Sequence, residues 1–379
     1  MNFLRPRLQF YLAFNFIPPF IFSTAFLVLF LETFQFFQLT SLLINKNVAV
    51  SAVSELFVHI SVSFFPMAFP LATLFAVSYT LNKMSQDSEI VAMRSFGLSK
   101  TQMSFPLFFL ALFISLILFV LSIEVIPFAF KQFRNTVIRL TSKGLLGDVK
   151  PGQFFIEIPR VMLFANEVEN GGENMKEVFI HFRGKGEDDR IIVAKKGELI
   201  RKQSDSWAPE DVYLKLYDGN ILKTEDQSLE LEKIIFERYE FPIFHSNSIP
   251  GFINRANMMS MGELKKYIKK MKKKKSLKKK DRVNLHKAEA ELWSRFNSPL
   301  LCLLFALLGI ALGVKQGRSV TRNSTGIILL VIVFYYALFF TLLALSIKGV
   351  IPTLVAVFSP ALALFLFGVY YYRKLDWVA

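Results

Sequence analysis

The stretch Leu81–Lys100, LNKMSQDSEIVAMRSFGLSK, is polar, charged and rich in helix formers, yet it lies between two long apolar blocks. Residues 56–82 lead into it and 104–127 follow it, each with the ~20 apolar residues that cross ~30 Å of hydrocarbon as a helix. Further blocks at 12–38, 293–314, 326–347 and 350–372 bring the predicted spans to six. A chain of 379 residues that is 53% hydrophobic and carries 42 Phe in such blocks is read as an integral membrane protein. The first block contains Pro18 and Pro19 and no small-residue cleavage site, so it reads as a retained span rather than a removable signal.

Short-loop charge sets the expected orientation. With the N-terminus in the cytoplasm, Arg5, Arg7, Lys83, Arg94, Lys100, Lys315, Arg318, Arg322, Arg373 and Lys374 fall inside, against Lys46 and Lys348 outside. Both termini are then cytoplasmic and residues 128–292 lie outside. KEVFIHF alternates with Val178, Ile180 and Phe182 on one face, and DVYLKLY with Val212, Leu214 and Leu216, the pattern of half-buried strands. GQFFIEI, DRIIVAKKGELI and LELEKIIFERYEF add strands, and Asp218–Gly219 in YDGN suits a hairpin turn. A small sandwich or open barrel follows. Downstream, Ser260 and Glu263 have capping-box spacing, and Glu291 and Arg295 sit four apart on one helix face.

The net charge of +15 is concentrated. Between Glu263 and Lys287 twelve Lys and one Arg face two acids, so this stretch alone carries +11. Near an anionic surface it could gather lipid phosphates, with Lys272, Lys273, Lys274 and Lys275 at its centre; a solvated arm is the plainer alternative. Nucleic acid is not expected as a partner of an extracytoplasmic segment.

No motif for chemistry is present. The chain lacks a GxxxxGK loop followed by Ser or Thr, an HExxH and a CxxC, and His59, His181, His245 and His286 are scattered without metal-ligand spacing. The single Cys302 excludes an internal disulfide. No catalytic residue, metal or cofactor is expected. Among acids within spans only Glu32 and Glu124 qualify, and both fall near the outer ends, where snorkelling is the simplest reading and a proton path the alternative.

Residues 81–100 then read as a short cytoplasmic helix. Ser85 can cap it, Asp87 and Glu89 suit its positive end, and Gly97 can end it. Glu89, Ala92, Met93 and Phe96 share a face at i, i+3, i+4, i+7, and Arg94 projects elsewhere. An apolar strip headed by a carboxylate fits a groove on a cytoplasmic protein better than a headgroup layer. A membrane protein without its own ATPase but with such a knob looks like the membrane half of an ABC transporter.

Here the chain resembles the lipopolysaccharide-export permease family of the LptF/LptG type. The likeness runs through PLATLFAVSYTL, the stretch 81–100, IEVIPFA, LYDGNIL, FERYEF, AELWSRFNSPL, ALGVKQGRS and GVIPTLVAVFSPALALFLFGVYYY, in order, over essentially the whole chain. KPGQFFIEI looks more like the F-type subunit. The resemblance implies three spans with a coupling helix at about 85–97 (residues 1–127), a periplasmic β-jellyroll-like domain (128–257), a basic helical connector (258–292) and three more spans (293–379). It implies a bacterial inner-membrane, non-catalytic subunit that pairs with a second related permease and a cytoplasmic ABC ATPase dimer. Lipopolysaccharide would pass to a periplasmic bridge protein of jellyroll fold. Asp87, Ser88, Glu89, Met93, Arg94 and Phe96 would form the ATPase-docking helix, with membrane lipids around the spans. Permeases of this type carry basic residues at the outer end of span one, whereas this chain offers Glu32 and Lys46 there, with Arg295 as a further phosphate contact. A permease for another lipid or lipoprotein, a membrane-anchored envelope scaffold, and a proton-coupled transporter dependent on Glu32 or Glu124 are the alternatives.

Overall fold

The computed structural model describes residues 6–43, 50–147, 150–158, 161–169, 174–183, 189–202, 211–224, 231–244, 255–274, 279–314 and 324–374. Arg5, Lys46, His245, Lys275, Lys315, Arg318 and Arg322 lie outside the described residues. The chain divides into two compact units, one of residues 1–35, 59–129 and 256–379, the other of residues 36–58 and 130–255.

In the first unit the apolar blocks are helices. They are α1 (Pro6–Leu43), α2 (Val50–Ser63), α3 (Phe65–Gln86), α4 (Glu89–Ser95), α5 (Lys100–Val120), α6 (Ile126–Gly147), α7 (Met261–Lys273), α8 (Lys279–Gly313), α9 (Ser324–Ile347) and α10 (Thr353–Arg373); α1, α2 and α6 run on into the second unit. Among the described residues five helical stretches are long and apolar enough to span, and α2 with α3, bent by 63°, brings the number to six when the pair is taken as one broken span. The bend falls at Phe64 because Pro66, in the first turn of α3, lacks an N–H and its ring would collide with the carbonyl four residues back. A similar disturbance precedes Pro127, where Leu121–Val125 form a π turn with Glu124 exposed. Beyond it the chain stays helical to Gly147, so residues 128–147 are helix, not the start of the β-region. In the second unit this helix is tied to α2 by Thr136 Oγ1, which donates to Glu55 Oε1 at 2.8 Å.

α8 is the most buried of the spans. Gly309 lets α3 approach so closely that a Cβ there would stand 3.0 Å from Val77 and 3.2 Å from the carbonyl oxygen of Leu74. One turn on, Gly313 meets Ser78 in the same way, a small-xxx-small stripe of the kind that seats helix on helix in lipid. On other faces Ser115 Oγ of α5 donates to Pro299 O at 2.8 Å, and Asn297 Nδ2 donates to Tyr335 Oη of α9 at 3.2 Å.

The second unit holds one antiparallel sheet of β1 (Phe154–Ile158), β2 (Val161–Glu169), β3 (Asn174–Arg183), β4 (Asp189–Lys202), β5 (Asp211–Thr224) and β6 (Leu231–Phe244), paired in sequence order. A helical membrane protein with an inserted β-domain is thus the fold class. Val178, Ile180, Leu214 and Leu216 are buried together, as their alternation predicts, with Phe182 packed at the margin. Asp218–Gly219 does not turn the chain. It lies within β5, where a crease crosses the sheet: the ladder skips Asn166 with Glu177, Glu177 with Lys195, Lys195 with Asp218, and Asp218 with Glu237. Inward residues there step by three instead of two (Met175 then Val178, Ala194 then Gly197), so the core face stays inward across the bend. Positive φ at Glu177 (51°) and Asp218 (50°) absorbs the extra residue.

At Gly219 the neighbouring backbone leaves no room, since a Cβ would come 2.2 Å from Val193 O and 2.6 Å from Phe236 Cζ. Gly219→Ala is expected to destabilise the sheet by about 1–3 kcal/mol, the usual range for overpacking. A lowered melting temperature of the full-length protein checks this; an unchanged one removes the close approach.

Candidate functional site

The segment between α3 and α5 is short because both its ends are fixed. Ser88 sits in the left-handed region (φ 59°) and turns the chain out of α3, while Ser85 belongs to the last turn of α3 and does not cap α4. α4 ends as its glycine predicts: Gly97 has φ 79°, its N–H bonds Arg94 O at 2.8 Å, and the N–H of Leu98 reaches Met93 O at 3.2 Å.

The seven residues of α4 divide into two faces, though not along the expected line. Ile90 is buried in a cluster that includes Leu12, Met84, Met103 and Leu107, and Met93 packs against that cluster. Met93 therefore anchors the helix, and the free apolar surface is Val91, Ala92 and Phe96, the last 79% exposed. Met93 thus lies on the inward side with Ile90 and not on the outward strip with Ala92 and Phe96, because Ile90, three residues before it, enters the core. Asp87 and Ser88 are exposed, and Arg94 is half-buried.

Glu89 is held from the first span. The hydroxyl of Tyr11 donates to Glu89 Oε1 at 2.6 Å, while Oε2 is buried and accepts no hydrogen bond within the described residues. Thr80 Oγ1 of α3 also donates to Asn15 O of α1 at 3.3 Å. Directly beyond these contacts α1 and α3 enclose an open groove of about 900 Å³. Its walls are apolar, with Phe14, Phe22 and Phe26 from α1 and Phe75 and Tyr79 from α3, and Lys83 is the charged group on its rim. Such a groove has the size and apolar lining to take an acyl chain. Sequence reasoning missed it because every span is equally rich in Phe; only the Pro18–Pro19 pair, which also lines it, marked α1 as unusual.

The remaining expected contacts fall elsewhere. Glu32 is buried, not snorkelling, and accepts a hydrogen bond from Ser61 Oγ of α2. Arg295 is buried too: Nε donates to Glu291 Oε1 at 3.0 Å, and Nη2 to the carbonyls of Ala256 and Asn257 at 3.3 and 3.5 Å. Its guanidinium therefore pins the turn Arg255–Met258, ahead of α7, to α8. Lys272 is paired with Glu289 at 2.7 Å and Lys274 with Asp281 at 3.7 Å, leaving Lys273 exposed and without an acid among the described residues.

Among the described residues, helices long and apolar enough to span and an apolar groove between α1 and α3 are the features of an integral membrane protein. The chain matches the family model described as "Lipopolysaccharide export system permease LptF/LptG" over residues 10–374. It belongs to that family of inner-membrane permeases, which are transporter components and not catalysts. No curated protein sequence matches it.

Replacing Arg295 by Met should cost about 3 kcal/mol, because the Glu291 carboxylate and two carbonyls lose their donor in a buried place. Arg295→Lys should recover only part of this, since a compact ammonium lacks the extended planar fork by which Nε and Nη2 reach acceptors on two separate segments. Thermal unfolding of the three proteins in the same detergent decides it; equal midpoints would contradict the role given to Arg295.

Proposed function

We propose that the chain is one permease half of an ATP-driven exporter whose α4 receives a separate cytoplasmic ATPase, and whose groove along α1 takes the lipid part of lipopolysaccharide. The observation that carries this reading is the construction of α4. α4 and its C-cap Phe96 expose Val91, Ala92 and Phe96 to solvent, next to the carboxylates of Asp87 and Glu89, and the helix is fixed to the spans by Ile90, Met93 and the Tyr11–Glu89 bond. A partner that displaces α4 would therefore move α1, and α1 is a wall of the groove. The chain carries no nucleotide-binding loop of its own, so the driving force has to come from a partner.

In this reading both termini and α4 lie in the cytoplasm, as the short-loop charges favour, and the β-domain lies in the periplasm. A second permease of the same family completes the cavity, and the β-domain hands the lipid to a bridge protein of like fold. The F-type subunit remains the assignment that KPGQFFIEI supports.

Phe96→Asp tests the docking face without touching the core, since the side chain is 79% exposed. It is expected to reduce co-purification of the ATPase at least tenfold, roughly the loss of one well-buried aromatic anchor. Glu89→Lys should do the same and abolish lipid export. An ATPase recovered in full with both variants would remove α4 as its docking helix, whereas no ATPase recovered with wild type would favour an envelope scaffold.

The Tyr11 bond makes a finer expectation. Tyr11→Phe keeps the ring and removes the donor, so stability should fall by only about 1 kcal/mol. ATP hydrolysis by the assembled complex should continue while export falls, because α4 is still docked but no longer drives α1. Parallel loss of hydrolysis and export would place Tyr11 in assembly instead.

A further inference from the structure

The lysine-rich helix α7 has an apolar side and a cationic side, and only the first is used by the protein. Leu264, Ile268 and Met271 are buried. Ser260 Oγ accepts from Glu263 N at 3.4 Å and Glu263 Oε2 accepts from Ser260 N at 2.9 Å, so the helix's own acid is turned back onto its cap. Lys272 is neutralised by Glu289 of α8. Lys265, Lys266, Lys269, Lys270 and Lys273 are exposed and make no ion pair among the described residues.

The height of α7 relative to the spans follows from the same contacts. Glu289, which holds Lys272, also accepts from Thr353 Oγ1 at 3.3 Å. Thr353 is the first residue of α10, and the turn 348–352 before it joins two helices of spanning length. His286 of α8 lies 3.5 Å from where a Cβ of Gly349 in that turn would stand. A tight turn between two spans sits at the membrane surface, so the C-terminal end of α7, held by Lys272, lies at headgroup level, with the exposed Lys348 on the same level.

We propose that this face of α7 is a binding surface for the phosphate-bearing headgroups of membrane lipids in the adjoining leaflet. Ammonium groups at this height meet lipid phosphates before they meet any soluble partner, and each is worth roughly a fivefold gain near an anionic surface. The exposed set differs from the one that composition suggested. Lys272 and Lys274 are engaged by Glu289 and Asp281, and the available charges lie further toward the start of the helix. The inference needs the chain to span a membrane but does not depend on what it exports, nor on an ATPase.

The test uses the full-length protein in nanodiscs of four parts phosphatidylcholine to one part phosphatidylglycerol, with the retained lipids counted by native mass spectrometry. Wild type is expected to retain phosphatidylglycerol at several times its share of the disc. The variant K265Q/K266Q/K269Q/K270Q/K273Q should fall back to that share, and the corresponding five-Arg variant should keep the excess. Should the five-Gln protein fold poorly, the pair Lys269→Glu and Lys273→Glu, both on the exposed face, is expected to give the same loss. No excess in wild type, or an excess that survives neutralisation, overturns the proposal. So does displacement of the lipid by inorganic phosphate at an ionic strength where chloride does not displace it, which would make the surface a site for soluble phosphate.

Discussion

The contact of α3 with α8 at Gly309 and Gly313 is the constraint on which the membrane unit depends. In lipid there is no hydrophobic force to drive one apolar helix onto another, so association rests on close packing and on the few polar bonds available. Two glycines one turn apart bring the α8 backbone against Leu74, Val77 and Ser78, and the rest of the unit is arranged around that pair. α5 reaches α8 through Ser115, α9 through the Asn297–Tyr335 bond, and α10 through Gly368, which packs against Leu307. α7 is attached through Lys272 and Glu289, and the turn before it through Arg295.

On this rigid centre the more adaptable parts are set toward the edge. Among the side chains of α1 whose burial is described, Leu12, Phe16, Val28 and Glu32 are buried, whereas Phe10, Phe14, Phe22 and Phe26 are exposed. A helix so lightly packed can shift without breaking a core, and it forms one wall of the apolar groove. α4 is its opposite: seven residues wedged by Ile90 and Met93, with one hydrogen bond to α1. A displacement of α4 would therefore be passed to a lightly buried span.

Much of the architecture is visible in the residues themselves. Blocks of about twenty apolar residues are spans because the hydrocarbon thickness admits little else, and alternation at Val178, Ile180, Leu214 and Leu216 gives strands with one inward face. The caps at Ser260 and Gly97 and the Glu291–Arg295 pair are local chemistry, and they form as their spacing indicates. Where distant residues intervene, local rules mislead. Asp218–Gly219 has the composition of a hairpin turn, yet five strands place an extra residue at the same level and the pair becomes part of a crease. Met93 points inward because Ile90 finds the core first, and Arg295, a plausible phosphate contact by composition, is taken by two backbone carbonyls and Glu291.

The sequence by itself determined the membrane class, the six apolar blocks, the inserted β-region and the short acidic helix between the second and third spans. Each of these follows from composition and period within a window of a few turns, where the bilayer or the strand pleat imposes its own length scale. Tertiary structure alone decided which residues are free to act: Phe96 and Val91 rather than Met93, Lys269 and Lys273 rather than Lys272, and a groove on α1 among many equally aromatic faces. Whether a side chain is exposed, paired or buried depends on partners far away along the chain, such as Tyr11 for Glu89 and Glu289 for Lys272. No local pattern encodes a partner of that kind, because the energy that selects it exists only once the helices have packed.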